Sequence, residues 1–159
     1  MKSIRTTFYL LIFSALIVAC STGKSALKKG DYYEATMQAV QFLRLKPESQ
    51  KGIETIKKSY PMALSYYQQK IDGLILSDAP DKYVSTVEIY TQLNKLADEI
   101  SRCPAALEAV KPVVYYHEQL KTAKSLAAKE QYDAGIKLLQ SNYIEDARLA
   151  YSRFESVKK

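Results

Sequence analysis

The chain has 159 residues, a formal net charge of +6, 13 tyrosines, no tryptophan, two cysteines and one histidine. A single histidine and no HExxH leave no zinc site to read, and neither a Gly-x-Ser-x-Gly turn nor a Gly-rich phosphate loop occurs. The basic residues are spread out, with Lys28-Lys29, Lys57-Lys58 and Lys158-Lys159 the doublets of the body of the chain. That distribution describes a solvated helix surface, not a nucleic-acid-binding element, which gathers charge on one face.

The N-terminus has the zones of an export signal. Lys2 and Arg5 form a positive start, and Phe8 to Ala19 is a mostly apolar run. It is short for a membrane-spanning helix, which needs roughly 20 apolar residues. The run closes with Leu16-Ile17-Val18-Ala19-Cys20. Ile17, third before the cysteine, does not suit an ordinary secretory cleavage site. An aliphatic residue there, followed by Val18, Ala19 and Cys20, resembles the lipobox of bacterial lipoproteins. The resemblance implies that residues 1–19 are a signal peptide and that Cys20 is the lipidation residue, anchoring the chain to a membrane. Each buried methylene of such a lipid contributes about 0.8 kcal/mol, and two or three chains anchor stably. Ser21 stands where an aspartate would resemble an inner-membrane retention signal, which points to the outer membrane, facing the periplasm. The organisation expected is 1–19 signal, 20–25 lipidated cysteine and short linker, and 26–159 a helical repeat-like domain.

Apolar residues after Cys20 recur at spacings of three and four, so the expected fold class is all-α. Gly30-Asp31 separates a short first segment from a helix that Asp31 caps, with Glu34 placed for a capping box. Tyr33, Met37, Val40 and Leu43 to Leu45 give its apolar stripe, and Pro47 stops it. A helix over Glu48 to Ser59 comes next. At Tyr60-Pro61 either a new helix begins with the proline in its first turn or one long helix kinks. The stripe resumes as Leu64, Tyr67, Ile71 and Leu74-Ile75. The Ser77 to Asp81 cluster starts a helix over Tyr83 to Ile100, expected to be the longest. A short helix over Pro104 to Val110 follows, then Val113 to Lys129, Tyr132 to Leu139 and Ile144 to Val157. If Cys20 carries lipid, Cys103 has no partner within the chain, and it reads as a small buried hydrophobe.

Gly30-Asp31-Tyr32-Tyr33-Glu34-Ala35, then Leu43, Leu45 and Pro47, resembles the second half of a tetratricopeptide repeat. Gly23, twelve residues before Ala35, falls at the small position of a truncated first helix. Gly135 and Ala147 repeat that spacing and place Ser141-Asn142 at the interhelical turn. Ala127 to Ala134 echoes the first motif in a different register. Between them, Gln69 and Leu64 depart from the pattern. The chain also resembles uncharacterised Bacteroidetes lipoproteins with tetratricopeptide-like helices, through Lys58 to Ala63, Ile89 to Asn94 and Arg102 to Leu107. These resemblances imply antiparallel helical hairpins stacked as a short solenoid, and no defined activity.

No nucleophile-base constellation is visible, so no catalytic residue, cofactor or metal is assigned. Tyrosine is the compositional excess, with doublets at Tyr32-Tyr33, Tyr66-Tyr67 and Tyr115-Tyr116. Adjacent helical residues point about 100° apart, so one ring of each pair can pack while the other borders a groove. Tyr66, Tyr67, Tyr115 and Tyr116 are therefore the candidate binding groove. Two functions fit: a membrane-anchored, non-catalytic scaffold for protein–protein interaction at the cell envelope, or a lipid-anchored binder of glycans or small ligands. The expected partners are the membrane, through Cys20, and an envelope protein, with a homodimer as another way to cover an open end of the stack. Nucleic acid is not among them.

Overall fold

The computed structural model describes residues 21–141 and 143–157. The signal segment and Cys20 lie outside the described residues. Among the latter the chain forms α-helices and no strand: α1 Lys24–Lys28, α2 Tyr32–Leu45, α3 Gln50–Leu76, α4 Lys82–Ser101, α5 Pro104–Val110, α6 His117–Leu139 and α7 Ile144–Val157. The all-α expectation holds. Contacts group the chain into two compact units, Met1–Tyr66 with Leu96–Val114, and Tyr67–Lys95 with Tyr115–Lys159. The divisions fall inside α3, inside α4 and between α5 and α6.

The first unit has an apolar core. Ala39, Val40 and Leu43 of α2 meet Ile56, Tyr60 and Ala63 of α3, Leu96 and Ile100 of α4, and Ala106 of α5. The three- and four-residue spacings within each helix put these groups on one face. Leu43, Ile56, Leu96 and Ile100 are fully buried, each worth about 1.5–3 kcal/mol relative to exposure. Cys103 fills a gap in this core, its Sγ 3.8 Å from the Val40 carbonyl oxygen. Buried hydroxyls pair as well: Thr36 and Ser59 are 2.9 Å apart, joining α2 to α3. Arg44 of α2 donates to the Glu99 carboxylate of α4.

Only half of the expected capping box forms. The Asp31 carboxylate accepts from the Glu34 amide at 3.1 Å. The Glu34 side chain accepts from Gln38 instead, because the Asp31 amide is already bonded to the Ala26 carbonyl. Gly23 sits before α1 with φ +79°, and a Cβ there would lie 2.2 Å from the Ala35 carbonyl oxygen. The small positions at Gly23 and Ala35 thus meet at a close approach.

In the second unit Ile71, Ile89 and Leu93 are buried, whereas the α6–α7 crossing is built on small residues. Ala123, Ala127, Gln131 and Gly135 are buried along α6 at four-residue intervals. The Phe154 ring of α7 lies against Gly135, where a Cβ would come within 2.6 Å. Ala150 is fully buried while Ala147 is exposed, so the Gly135/Ala147 register does not describe this crossing. Ser141 does lie in the turn between α6 and α7.

Of the two alternatives at Pro61 the continuous helix is the one formed, and two further boundaries and the expected longest helix differ from the sequence reading. Pro61 lies inside α3, which runs through it and is longer than α4. Pro61 and Lys57 are both exposed, so the carbonyl that loses its amide partner can bond water. The helix expected from Val113 starts only at His117. Side chains take amides that a helix would have satisfied internally: Tyr60 Oη accepts from Val114 at 2.9 Å and Asn94 Oδ1 from Tyr116 at 2.7 Å. No break separates Lys129 from Tyr132, since Gln131 is buried and bonded on both ends of its amide.

Candidate functional site

The four candidate tyrosines are split by the division between the units. Tyr66 belongs to the first, where its half-exposed ring stands edge-on to Tyr32 at 6.0 Å between centroids. Tyr67, Tyr115 and Tyr116 belong to the second. Tyr115 is exposed and stacks on His117 at 5.1 Å. Tyr116 is half-buried and tilts against Tyr90 at 5.5 Å. Neither is helical, since Tyr116 is the residue that caps α6. At Tyr66-Tyr67 and at Tyr115-Tyr116 one ring is more covered than the other, whereas Tyr32 and Tyr33 are both half-buried; at Tyr115-Tyr116 an irregular segment does this, not a helix.

Burial raises the Tyr116 phenol above its ordinary pKa, and it raises Tyr90 too, with Tyr116 and Asp72 adding to the effect. Both hydroxyls stay protonated and able to donate at neutral pH. Asn94 is buried beside them. Its Oδ1 accepts from the Tyr116 amide, whereas its Nδ2 has no hydrogen-bond partner among the described residues. A buried donor left unpaired costs about 1–3 kcal/mol.

A larger feature is the apolar face of the α6–α7 hairpin. Tyr132 is 53% exposed, Ile136 36%, Leu139 49%, Tyr143 74%, Ile144 74% and Tyr151 68%. Tyr132, Ile136 and Leu139 share one side of α6, and Ile144 and Tyr151 one side of α7. The rings of Tyr132 and Phe154 meet at 5.6 Å. Phe154 is one turn beyond Tyr151, so the two stripes flank the same seam. At roughly 200 Å² for a whole large side chain, these six residues leave roughly 700 Å² in water.

The second unit also holds a groove of about 520 Å³. Its polar end is a closed network. Asp81, just before α4, has φ +59°, a left-handed conformation that aspartate tolerates better than most side chains. Its carboxylate accepts from Gln131 at 2.7 Å and from Arg153. Arg153 also donates to Gln131 Oε1 at 2.8 Å. The hydrogen bond from Arg153 holds the Asp81 carboxyl below its ordinary pKa. Nearby, the Glu130 carboxylate accepts from the Tyr83 amide at 3.1 Å. From this end the groove runs over Val84, Val87, Ala127, Ala128 and Val157 to Thr91 and Lys124.

Among the described residues no group of His, Cys, Asp or Glu is arranged to hold a metal, and no helix is long and apolar enough to cross a membrane. Comparison with protein-family models, curated proteins and solved structures finds no match to this chain. Sequence reasoning missed the Asp81–Gln131–Arg153 network, whose members lie far apart in the chain. Asp81 carried a signal as a helix-start residue; Gln131 and Arg153 carried none. The hairpin face was visible only as a repeat register.

Proposed function

We propose that the protein is a non-catalytic helical scaffold, held at the cell envelope by lipid on Cys20, that docks a protein partner on the apolar face of the α6–α7 hairpin. The observation that carries this reading is the roughly 700 Å² of exposed apolar side chain on that face, close to the about 800 Å² that one partner contributes to a standard protein interface. Three of the six residues are tyrosines, and large amphipathic rings are favoured at interfaces.

The anchor reading rests on the lipobox. Ser21, directly after Cys20, donates from its hydroxyl to Gln38 Oε1 of α2 at 2.6 Å. A lipid on Cys20 would therefore hold the first unit close to the membrane, in the outer membrane facing the periplasm if Ser21 directs sorting. The test is crosslinking of the full chain in intact cells, compared with Ile144→Lys and Tyr151→Lys. Adducts of defined mass that both changes abolish support the scaffold. An adduct at twice the chain mass makes the partner a second copy.

A second reading, a binder of glycans or other small polar ligands, is favoured by one observation: the buried Asn94, whose Nδ2 has no hydrogen-bond partner among the described residues while its Oδ1 accepts from the Tyr116 amide. It predicts saturable glycan binding lost in Tyr116→Ala and Asn94→Leu, and absence of such binding removes it.

A further inference from the structure

We infer that the groove between α4 and α6 is a binding site for a medium-chain fatty acid, with its carboxylate on Lys124 and its chain over Val84, Val87, Ala127 and Ala128. The site is separate from the hairpin face and does not depend on the scaffold reading.

The lining sets the chemistry of the occupant. Its middle is aliphatic, and no aromatic residue lines it. A sugar ring would call for an aromatic platform and several converging polar groups; valine and alanine offer only a smooth apolar floor. The volume of about 520 Å³ falls within the about 300–1,000 Å³ of small-molecule sites.

Charge sets the head group. Three charged side chains line the groove: Asp81, Arg153 and Lys124. Asp81 and Arg153 answer one another, and Gln131 completes their hydrogen bonding. That end is a polar wall whose charges are already paired, so it does not call for a charged head group. Lys124 has no ion pair among the described residues, and it is exposed. It is the uncompensated cation of the lining, at the end opposite the wall. An anion with an apolar tail meets both features, its head at Lys124 in contact with water and its tail directed towards Gln131.

Length limits the tail. Lys124 and Gln131 are seven residues apart on one helix, a rise of roughly 10 Å. That suits a medium chain and leaves the end of a long one outside the groove.

The test is photo-crosslinking of the full chain with a diazirine-bearing decanoate, followed by peptide mapping. Labelling should concentrate in residues 84–91 and 124–131, and decanoate should compete where decanol does not. Lys124→Glu should lower labelling about tenfold, and Lys124→Arg should restore it. Lys124 is exposed, so neither change threatens folding; circular dichroism checks this. Equal competition by decanol, labelling unchanged in Lys124→Glu, or labels spread over other helices would each overturn the proposal.

Discussion

Arg153, in the last helix, grips the carboxylate of Asp81, 72 residues earlier, and the residue it grips is the left-handed one that leads into α4. One guanidinium therefore ties α7 to the start of α4 and to Gln131 of α6, using a side chain whose backbone conformation costs energy on its own. The network holds the hairpin that carries the apolar face.

This pairing has a pH signature. The Asp81 carboxyl is held below its ordinary value of 3.8, chiefly by the Arg153 hydrogen bond. The stabilisation is thus complete above that value and is lost as pH falls through the lowered one. Both side chains are about a third exposed, so solvent screening limits the pair to at most about 1 kcal/mol. Arg153→Ala should raise amide exchange in α7 by a few-fold at pH 7. Asp81→Asn, which keeps a residue tolerant of the left-handed conformation, should raise α7 exchange between pH 5 and 7 about as Arg153→Ala does, and should remove the acid sensitivity of α7 below pH 4. Exchange rates followed across pH check both.

The two glycines that flank α1 should respond differently to alanine. Both have φ near +80°, which costs an alanine roughly 1–2 kcal/mol. At Gly30 a Cβ meets nothing within 4 Å, whereas at Gly23 it strikes the Ala35 carbonyl oxygen. Gly30→Ala should cost about 1 kcal/mol. Gly23→Ala should undock α1 from α2, with the Leu27 amide losing protection while Val40 and Leu43 keep theirs. Equal effects in the two variants would contradict the close approach.

Much of this was legible in the chain. Asp31, Pro47 and Pro104 act locally, and helix boundaries near them agree with the residues. Pro61 was ambiguous because its cost depends on whether the freed carbonyl faces water, which is a property of the fold. The start of α6 was missed because Tyr60 and Asn94 satisfy the Val114 and Tyr116 amides from far along the chain. The hairpin register failed because Ala150, not Ala147, is the buried small residue opposite α6, and one position changes which side of a helix faces its neighbour. Only the doublet logic pointed to the tyrosines, and it could not place Tyr66 in a different unit from Tyr67, Tyr115 and Tyr116.

Lipid attachment makes its own prediction. Metabolic labelling with palmitate should mark the wild-type chain and be lost in Cys20→Ser, while Cys103→Ser, in the buried core, should label normally. Globomycin should block signal removal. Labelling that persists in Cys20→Ser would leave the anchor without a basis.

The central claim is that the α6–α7 face docks a protein, and a photoreactive amino acid placed at Tyr151 of the full chain tests it most directly. Irradiation of intact cells should give one adduct of defined mass, lost when Ile144→Lys is added, with helix content unchanged because both positions are exposed. Absence of any protein adduct, or an adduct that survives Ile144→Lys, would contradict the account.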